Sequence, residues 1–462
     1  FRTVYEYQGD EANACKPNDH HILFRLADVF LRTWDLGFTA FGGPPVHFQI
    51  LHQRFVDSKG YAPWVNDQTY HELFAVSQAL PGPASTKMLF NLVMYHAGFA
   101  CATLGFLQWS LPGALGMFLL SIGVGKISEV LPGPVYGLLS GLNASTVGII
   151  ALAAVQIKAK RQQKRINEQR AAEESQETAS SIPLEDLSRP ATSSQRRATS
   201  IPAQVQHNKH ETTNTEAAER VASEAPSSQD RSYSFSVWTG TAIIILFFAS
   251  FAAILTARSV LKTPPQILDL FANMYLAGTI IFGGGPVVIP LLREYTVEPG
   301  WVSSRDFLIG LAIIQAFPGP NFNFALYLGA LAVRGSGTTG FVGALLGFLG
   351  IFVPGLTLSV GVAGIWQVVR TKAAVASALR GINATAVGLV FTAVYRLWEI
   401  GYLTPDSGRG KSLANDPWWV VVAAITYSGS AWFKVPPAMA ILLGAVLGLG
   451  WYGVAGKRIL GS

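Results

Sequence analysis

Phe41-Gly42-Gly43-Pro44-Pro45-Val46 returns about 240 residues later as Phe282-Gly283-Gly284-Gly285-Pro286-Val287, each time inside strongly apolar sequence. A second pair keeps the order: Gln78-Ala79-Leu80-Pro81-Gly82-Pro83 returns as Gln315-Ala316-Phe317-Pro318-Gly319-Pro320. Trp64-Val65 and Trp301-Val302 lie between those blocks. Farther on, Leu111-Pro112-Gly113 corresponds to Val353-Pro354-Gly355, and Gly141-Leu142-Asn143-Ala144-Ser145-Thr146-Val147-Gly148 to Gly381-Ile382-Asn383-Ala384-Thr385-Ala386-Val387-Gly388. Collinear blocks at a nearly constant offset make the chain an internal duplication. Helix-breaking Gly and Pro at corresponding places in two apolar halves mark a transporter whose site is built from broken helices.

Composition agrees. Half of the residues are hydrophobic and 13% are charged, against about 25% charged in a soluble domain. Roughly a third of that charge lies between Lys158 and Arg231. The remainder is poorer still, as a hydrocarbon solvent demands. Cys15 and Cys101 imply no disulfide framework, and no signal peptide is legible behind Phe1. The net charge of +6 has its main cluster beside a membrane segment, which points to orientation in a bilayer and not to nucleic acid.

Against the length needed to cross a bilayer, residues 84–108, 111–126 and 133–157 read as spans in the first half, with half-helices at 34–57 and 68–81. The second half repeats them at 275–297, 306–333, 338–368 and 376–398, and further spans fall at 237–256, 418–433 and 436–455. The organisation is a polar tail 1–21, a first membrane half 22–157, a linker 158–235 and a second membrane half 236–455. The linker is rich in Ser, Ala, Gln, Glu and Arg and is expected to be disordered. Lys158, Lys160, Arg161, Lys164 and Arg165 at its start place it in the cytoplasm; a lipid or calmodulin contact is the competing reading of that cluster. The span at 133–157 carries its basic cluster behind it, whereas 376–398 carries Arg370, Lys372 and Arg380 in front. The expected fold is therefore an all-α polytopic membrane protein with two homologous halves of transmembrane and broken, re-entrant helices. The halves form inverted-topology repeats, with 237–256 as the odd crossing.

A broken backbone at depth is tolerated only where protein or water satisfies it, so the breaks should line a cavity. Pro45, Pro83, Pro286 and Pro320 each suit the first turn of a half-helix, whose positive end favours an anion; packing kinks are the alternative. The candidate substrate-binding residues are Gly42, Gly43, Pro45, His47, Gln78, Gly82 and Lys87 in the first half. In the second they are Gly283, Gly284, Gly285, Gln315, Gly319, Asn321 and Asn323. Gln78 and Gln315 stand one turn before the breaks and can satisfy freed backbone or contact a ligand. Asn143 and Asn383 read as interhelical hydrogen-bonding residues. Arg293 and Glu294 are candidate coupling charges or surface markers. Val288 faces the position of His47 and Phe324 that of Lys87, so the site is expected to be asymmetric.

The paired FGGPP and FGGGP elements, with the paired QALPGP and QAFPGP elements in a duplicated layout, resemble the chromate ion transporter family in its long two-domain form. The resemblance covers residues 22–157 and 236–455. It implies export of chromate across the cytoplasmic membrane, resistance to chromate, coupling to an ion gradient and sulfate as the isosteric competitor. The long linker departs from the compact bacterial pattern and leaves direction and substrate rank open. The expected function is secondary transport of chromate by alternating access. A sulfate or other oxyanion transporter, or an anion channel, is the alternative. No P-loop, carboxylate pair or H-E-x-x-H motif is present, so neither an enzyme nor a cofactor is expected. The expected partners are the transported anion and the lipid bilayer, with a homodimer allowed.

Overall fold

The computed structural model describes residues 2–41, 43–58, 61–125, 132–180, 236–282, 285–369, 394–404 and 407–457, with isolated residues between 372 and 392. Helix α1 (Arg2–Gly9) and a 3-10 turn (Glu11–Asn13) form the tail. Helices α2 (Ile22–Thr33) and α3 (Leu36–Thr39) run to the first Gly-Gly-Pro element, and α4 (Pro44–Phe55) leaves it. Helix α5 (Asp67–Ala79) runs to the first Pro-Gly-Pro, and α6 (Ala84–Ala97) leaves it; α7 (Phe99–Val124) and α8 (Gly133–Ser180) follow. The second half opens with α9 (Val237–Val260). It repeats the plan as α10 (Gln266–Ile280), α11 (Gly285–Thr296), α12 (Ser304–Ala316), the 3-10 turn Asn321–Asn323 with α13 (Phe324–Ala332), and α14 (Gly340–Val369). A short antiparallel hairpin, β1 (Tyr402–Thr404) with β2 (Ser407–Lys411), precedes α15 (Pro417–Trp432) and α16 (Pro437–Trp451).

The prolines start the half-helices as expected. Pro44 and Pro45 stand in the first turn of α4, Pro83 is the cap of α6 and Pro320 the cap of the Asn321–Asn323 turn. The central glycines of the two Pro-Gly-Pro breaks, Gly82 and Gly319, have φ of +92° and +86°. That region favours glycine, because a Cβ there crowds the following carbonyl.

Hydrogen bonds at the helix ends fix the topology. The Asn18 N–H donates to the His96 carbonyl at 2.9 Å, and the Arg25 guanidinium to the Ala97 carbonyl at 3.2 Å. Helix α6 thus returns to the end of the bundle from which α2 sets out, and both broken pairs of the first half are re-entrant hairpins opening there. Helix α7 begins at that end and crosses. At its far end the Ser121 carbonyl accepts from Arg334, just beyond α13. The corresponding hairpins of the second half therefore open at the opposite end, which is the inverted repeat. Helix α9 supplies the odd crossing and lies against α14, where a Cβ on Gly240 would come 2.6 Å from the Gly361 carbonyl oxygen. Glycines also let α8 and α16 meet closely; a Cβ on Gly137 would lie 2.6 Å from the Gly448 carbonyl oxygen.

Among the described residues five helices are long and apolar enough to cross a membrane: α7, Gly133–Gln156 of α8, α9, Gly340–Trp366 of α14 and Pro437–Gly456. Their outer faces are apolar as well. Leu107, Leu111, Leu115 and Leu119 recur every four residues along α7 and are exposed, while Trp109 and Gly113 of the same helix are buried. A leucine stripe turned outward fits lipid and not water.

Three boundaries differ from the sequence reading. Residues 84–108 and 111–126 are not two spans but the half-helix α6 and one 26-residue helix, α7, continuing through Pro112. Proline frees the carbonyl four residues back, and Gly37 packs on that carbonyl, Gln108 O. Pro354 of α14 repeats the device: a Cβ on Gly278 would lie 2.9 Å from the freed Gly350 oxygen. Helix continuity survives because a glycine backbone lies against the carbonyl that the proline leaves free. Secondly, 275–297 and 306–333 are the hairpins α10/α11 and α12/α13. Thirdly, α8 runs on to Ser180, since residues 158–180 are mostly Ala, Gln, Glu, Lys and Arg, all good helix formers. Residues 181–235 lie outside the described residues.

Gly319→Ala places a Cβ at positive φ and 2.9 Å from the Trp109 carbonyl oxygen. Gly335, at φ +81°, has open space around its own Cβ position. Both substitutions carry a backbone cost of about 1–2 kcal/mol, and only Gly319→Ala adds a collision. Thermal unfolding of the detergent-purified protein should show a larger drop in Tm for Gly319→Ala; equal drops would contradict this packing.

Candidate functional site

The four breaks meet, and each half completes the other. The Gly82 N–H in the first Pro-Gly-Pro donates to the Ile281 carbonyl at 2.7 Å, directly before the second-half glycines. Reciprocally, the Gly319 N–H donates to the Ala40 carbonyl at 2.8 Å, directly before the first-half glycines. The proline-containing spans cross over in the same way. A Cβ on Gly355 would lie 2.9 Å from the Pro81 oxygen, and one on Gly113 2.8 Å from the Pro318 oxygen. Asn323 Nδ2 donates to the Ser110 carbonyl at 2.9 Å, and Ser359 Oγ to Asn91 Oδ1 at 2.9 Å.

Side-chain caps occur at some helix starts but not at those of this meeting point, nor at α2, α9, α10 and α16. Helices α5, α12 and α15 are capped by the side chains of Asn66, Ser303 and Asp416. No side chain caps α4, α6 or the Asn321–Asn323 turn. An uncapped first turn presents backbone N–H groups and the positive end of the helix dipole. In α4, Pro44 and Pro45 have no N–H, which leaves Val46; α6 offers Ala84, Ser85 and Thr86. All three α6 residues are buried, with Thr86 wholly shut from solvent.

The side chains around α6 form one network. Trp109 Nε1 donates to Thr86 Oγ1 at 3.2 Å. His47 Nε2 lies 3.2 Å from the Ala40 carbonyl oxygen, which only accepts, so Nε2 carries the proton. His47 Nδ1 then accepts from Ser85 Oγ at 3.0 Å. The indole of Trp109 packs edge-on against the His47 ring at 4.9 Å. The Lys87 ammonium is fully buried and donates to the Leu80 and Pro81 carbonyls, the latter at 2.8 Å. It therefore holds the carbonyl groups exposed by the break at the end of α5 and, when protonated, has a third N–H to offer. Ser110 Oγ is buried and has no partner among the described residues.

The structure brings together some of the residues expected from sequence. Gly43, Gly82 and Gly319 form the breaks, His47 and Lys87 flank α6, and Asn321 and Asn323 make the turn before α13. Gln78 is half-buried one turn before the break, and Gly285 opens α11. Gly42, Gly283, Gly284 and Asn383 lie outside the described residues, as do the side chains of Pro45 and Gln315. Arg293 and Glu294 are not brought to the break. They sit near the other end of α11, about 12–13 Å along the helix from Gly285. There Arg293 pairs with Glu298 at 3.8 Å and Glu294 is exposed. Ser85, Thr86 and Ser110 were missed by the sequence reading; the signal available was polar residues in the first turn after a proline.

A second polar cluster was missed altogether. Asp28 is buried in α2 and accepts from Gln8 Nε2 at 2.7 Å, Asn18 Nδ2 at 2.8 Å and His96 Nε2 at 3.0 Å. The His96 ring stacks on Trp64 with centroids 4.3 Å apart. Burial first, then Asp28 and Asp19, pushes the hydroxyl of Tyr7, in the tail, up to about 12. The duplication held the signal, since Asp269 stands at the corresponding position and pairs with Arg258 at 2.9 Å.

Residues 27–188 and 268–449 match the family model described as chromate transporter. A probable chromate transport protein of Synechococcus elongatus is 25% identical over 431 residues, which cover 92% of this chain and 95% of that protein. A chromate transport protein of Pseudomonas aeruginosa is 26% identical over 378 residues, 78% of each chain. The uncharacterized transporter YwrB of Bacillus subtilis is 27% identical over 179 residues, 38% of this chain and 82% of that shorter protein. No solved structure matches the chain.

Asp28→Ala strands His96, Gln8 and Asn18 as buried donors, an expected loss of about 3–5 kcal/mol. Limited proteolysis should then cleave the segment 2–18 far faster than in the native protein. Unchanged protection would show that the carboxylate does not hold the tail.

Proposed function

The chain belongs to the chromate transporter family, and from that membership we propose that it is a secondary active transporter that carries chromate outward across the plasma membrane, conferring resistance to chromate. The observation that carries the reading is the set of uncapped half-helix starts gathered where the two inverted halves exchange backbone hydrogen bonds. Backbone N–H groups, helix dipoles, hydroxyls and an ammonium are the donors that a tetrahedral dianion needs, and none requires a covalent step. The N–H groups of Ala84, Ser85 and Thr86, the hydroxyls of Thr86 and Ser110 and the remaining N–H of Lys87 hold the anion.

Alternating access then consists of rocking one half against the other around the reciprocal bonds. The complete burial of Thr86 and Lys87 supports an occluded carrier over an open channel, whose pore would reach its site from at least one side. Shape and charge alone do not separate chromate from sulfate, which is the expected competitor. The basic cluster Lys158–Arg165, which follows the apolar stretch of α8, supports a cytoplasmic linker.

Flux of labelled chromate into oriented proteoliposomes should saturate, respond to an imposed pH gradient and be inhibited by sulfate. Lys87→Met should weaken chromate affinity by about tenfold or more, equivalent to 1.4 kcal/mol. Linear, gradient-independent flux would favour the channel, and unchanged affinity in Lys87→Met would remove Lys87 from the site.

A further inference from the structure

The charge balance of the buried site is incomplete. A dianion beside the Lys87 ammonium leaves one negative charge in a region shut from water, and an uncompensated buried charge is strongly disfavoured. Among the described residues the one other titratable side chain at the α6 start is His47, which is 1% exposed and enclosed by Ala40, Ser85 and Trp109.

Other charged groups on the elements around it are spent elsewhere. On α4, His52 pairs with Asp57 and Asp67, and Arg54 with Asp35 at the foot of α3. On α6, Lys87 faces the Leu80 and Pro81 carbonyls, and His96 faces Asp28. Asp67, His71 and Glu72 lie at the start of α5, away from its broken end. Helix α7 has no Asp, Glu, Lys, Arg or His.

We propose that His47 is the proton site of the transport cycle and that the Ser85 hydroxyl reports its state to the anion. This rests on the reading of the α6 start as an oxyanion site. With His47 neutral, Nε2–H is committed to Ala40 and Nδ1 accepts the Ser85 proton, so Ser85 turns only lone pairs toward a ligand. When a proton adds to Nδ1, that nitrogen donates to Ser85 Oγ, and the hydroxyl hydrogen is released to point at the anion. One protonation thus supplies the missing positive charge and converts a repelling oxygen into a donor. Proton and dianion bind together, each raising the affinity for the other by the same factor. The geometry also ties the event to the moving parts, because the Ala40 carbonyl that fixes His47 accepts the Gly319 N–H of the other half. The second half lacks the device, with Val288 and Phe322 in the places of His47 and Ser85.

The test is calorimetric binding of chromate to the detergent-purified full chain in buffers of different ionisation heat. It is run at mildly alkaline pH, where dissolved chromate is already deprotonated, and repeated across pH. The native protein should take up about one proton per chromate bound, with affinity rising as pH falls. His47→Gln should bind without proton uptake and without that pH slope, and Ser85→Ala, which weakens the coupling, should show a smaller uptake and a correspondingly shallower slope. Native proton uptake and slope in His47→Gln, or a native slope in Ser85→Ala, would overturn the assignment. Chromate binding to the native protein without proton uptake would overturn it while leaving the oxyanion site standing, and no chromate binding at all would overturn both.

Discussion

Two backbone hydrogen bonds, Gly82 N–H to Ile281 and Gly319 N–H to Ala40, carry the architecture. A broken helix inside a bilayer leaves donors and acceptors with no water to take them, and each left unpaired costs several kcal/mol. Here the donor that one half exposes is satisfied by the carbonyl that the other half exposes. Neither half is complete alone. The small residues follow from the same constraint, since Gly113 and Gly355 must let a proline-bearing span touch the opposite break.

Symmetry provides the frame and asymmetry the chemistry. The first half places His47, Ser85 and Lys87 where the second has Val288, Phe322 and Phe324. Phe322 and Phe324 are buried against Phe352 and Phe307, so the second-half break is packed with rings where the first-half break is polar. A dianion in a site made of two like halves would meet equal surroundings on both sides; in the proposed site its countercharges come from α4 and α6. The second half supplies the backbone lock and the hydrogen-bonding turn Asn321–Asn323.

Much of the fold was legible because Gly and Pro report backbone geometry directly. The FGGPP, FGGGP and Pro-Gly-Pro elements gave the breaks and the duplication, and the reversal of basic residues gave the inverted topology. Apolar run length was the weaker guide. It cut α7 at Pro112 and joined α10 to α11, because hydropathy does not tell a half-helix from part of a span. Sequence could not show that Pro112 stays inside a helix, since that depends on Gly37 reaching Gln108 from a distant element. The candidate site was legible in its glycines and in His47 and Lys87, which the structure places at the breaks. Its hydroxyls were not, nor was the Asp28–His96 pair, because each gains meaning only from partners far along the chain. Arg293 and Glu294 stood out by charge alone, and charge near a motif does not fix which way a helix carries it.

The proposed anion site lies where the reciprocal breaks meet. The most direct measurement is an electron cryomicroscopy structure with saturating chromate, with chromium located by anomalous diffraction if crystals form. Density is expected within hydrogen-bond distance of the Ser85 and Thr86 N–H groups, enclosed by residues 40–47, 81–87 and 318–323. Density confined to the helix ends near Arg293 or Asp28, with the α6 start empty in a transport-competent preparation, would contradict that site.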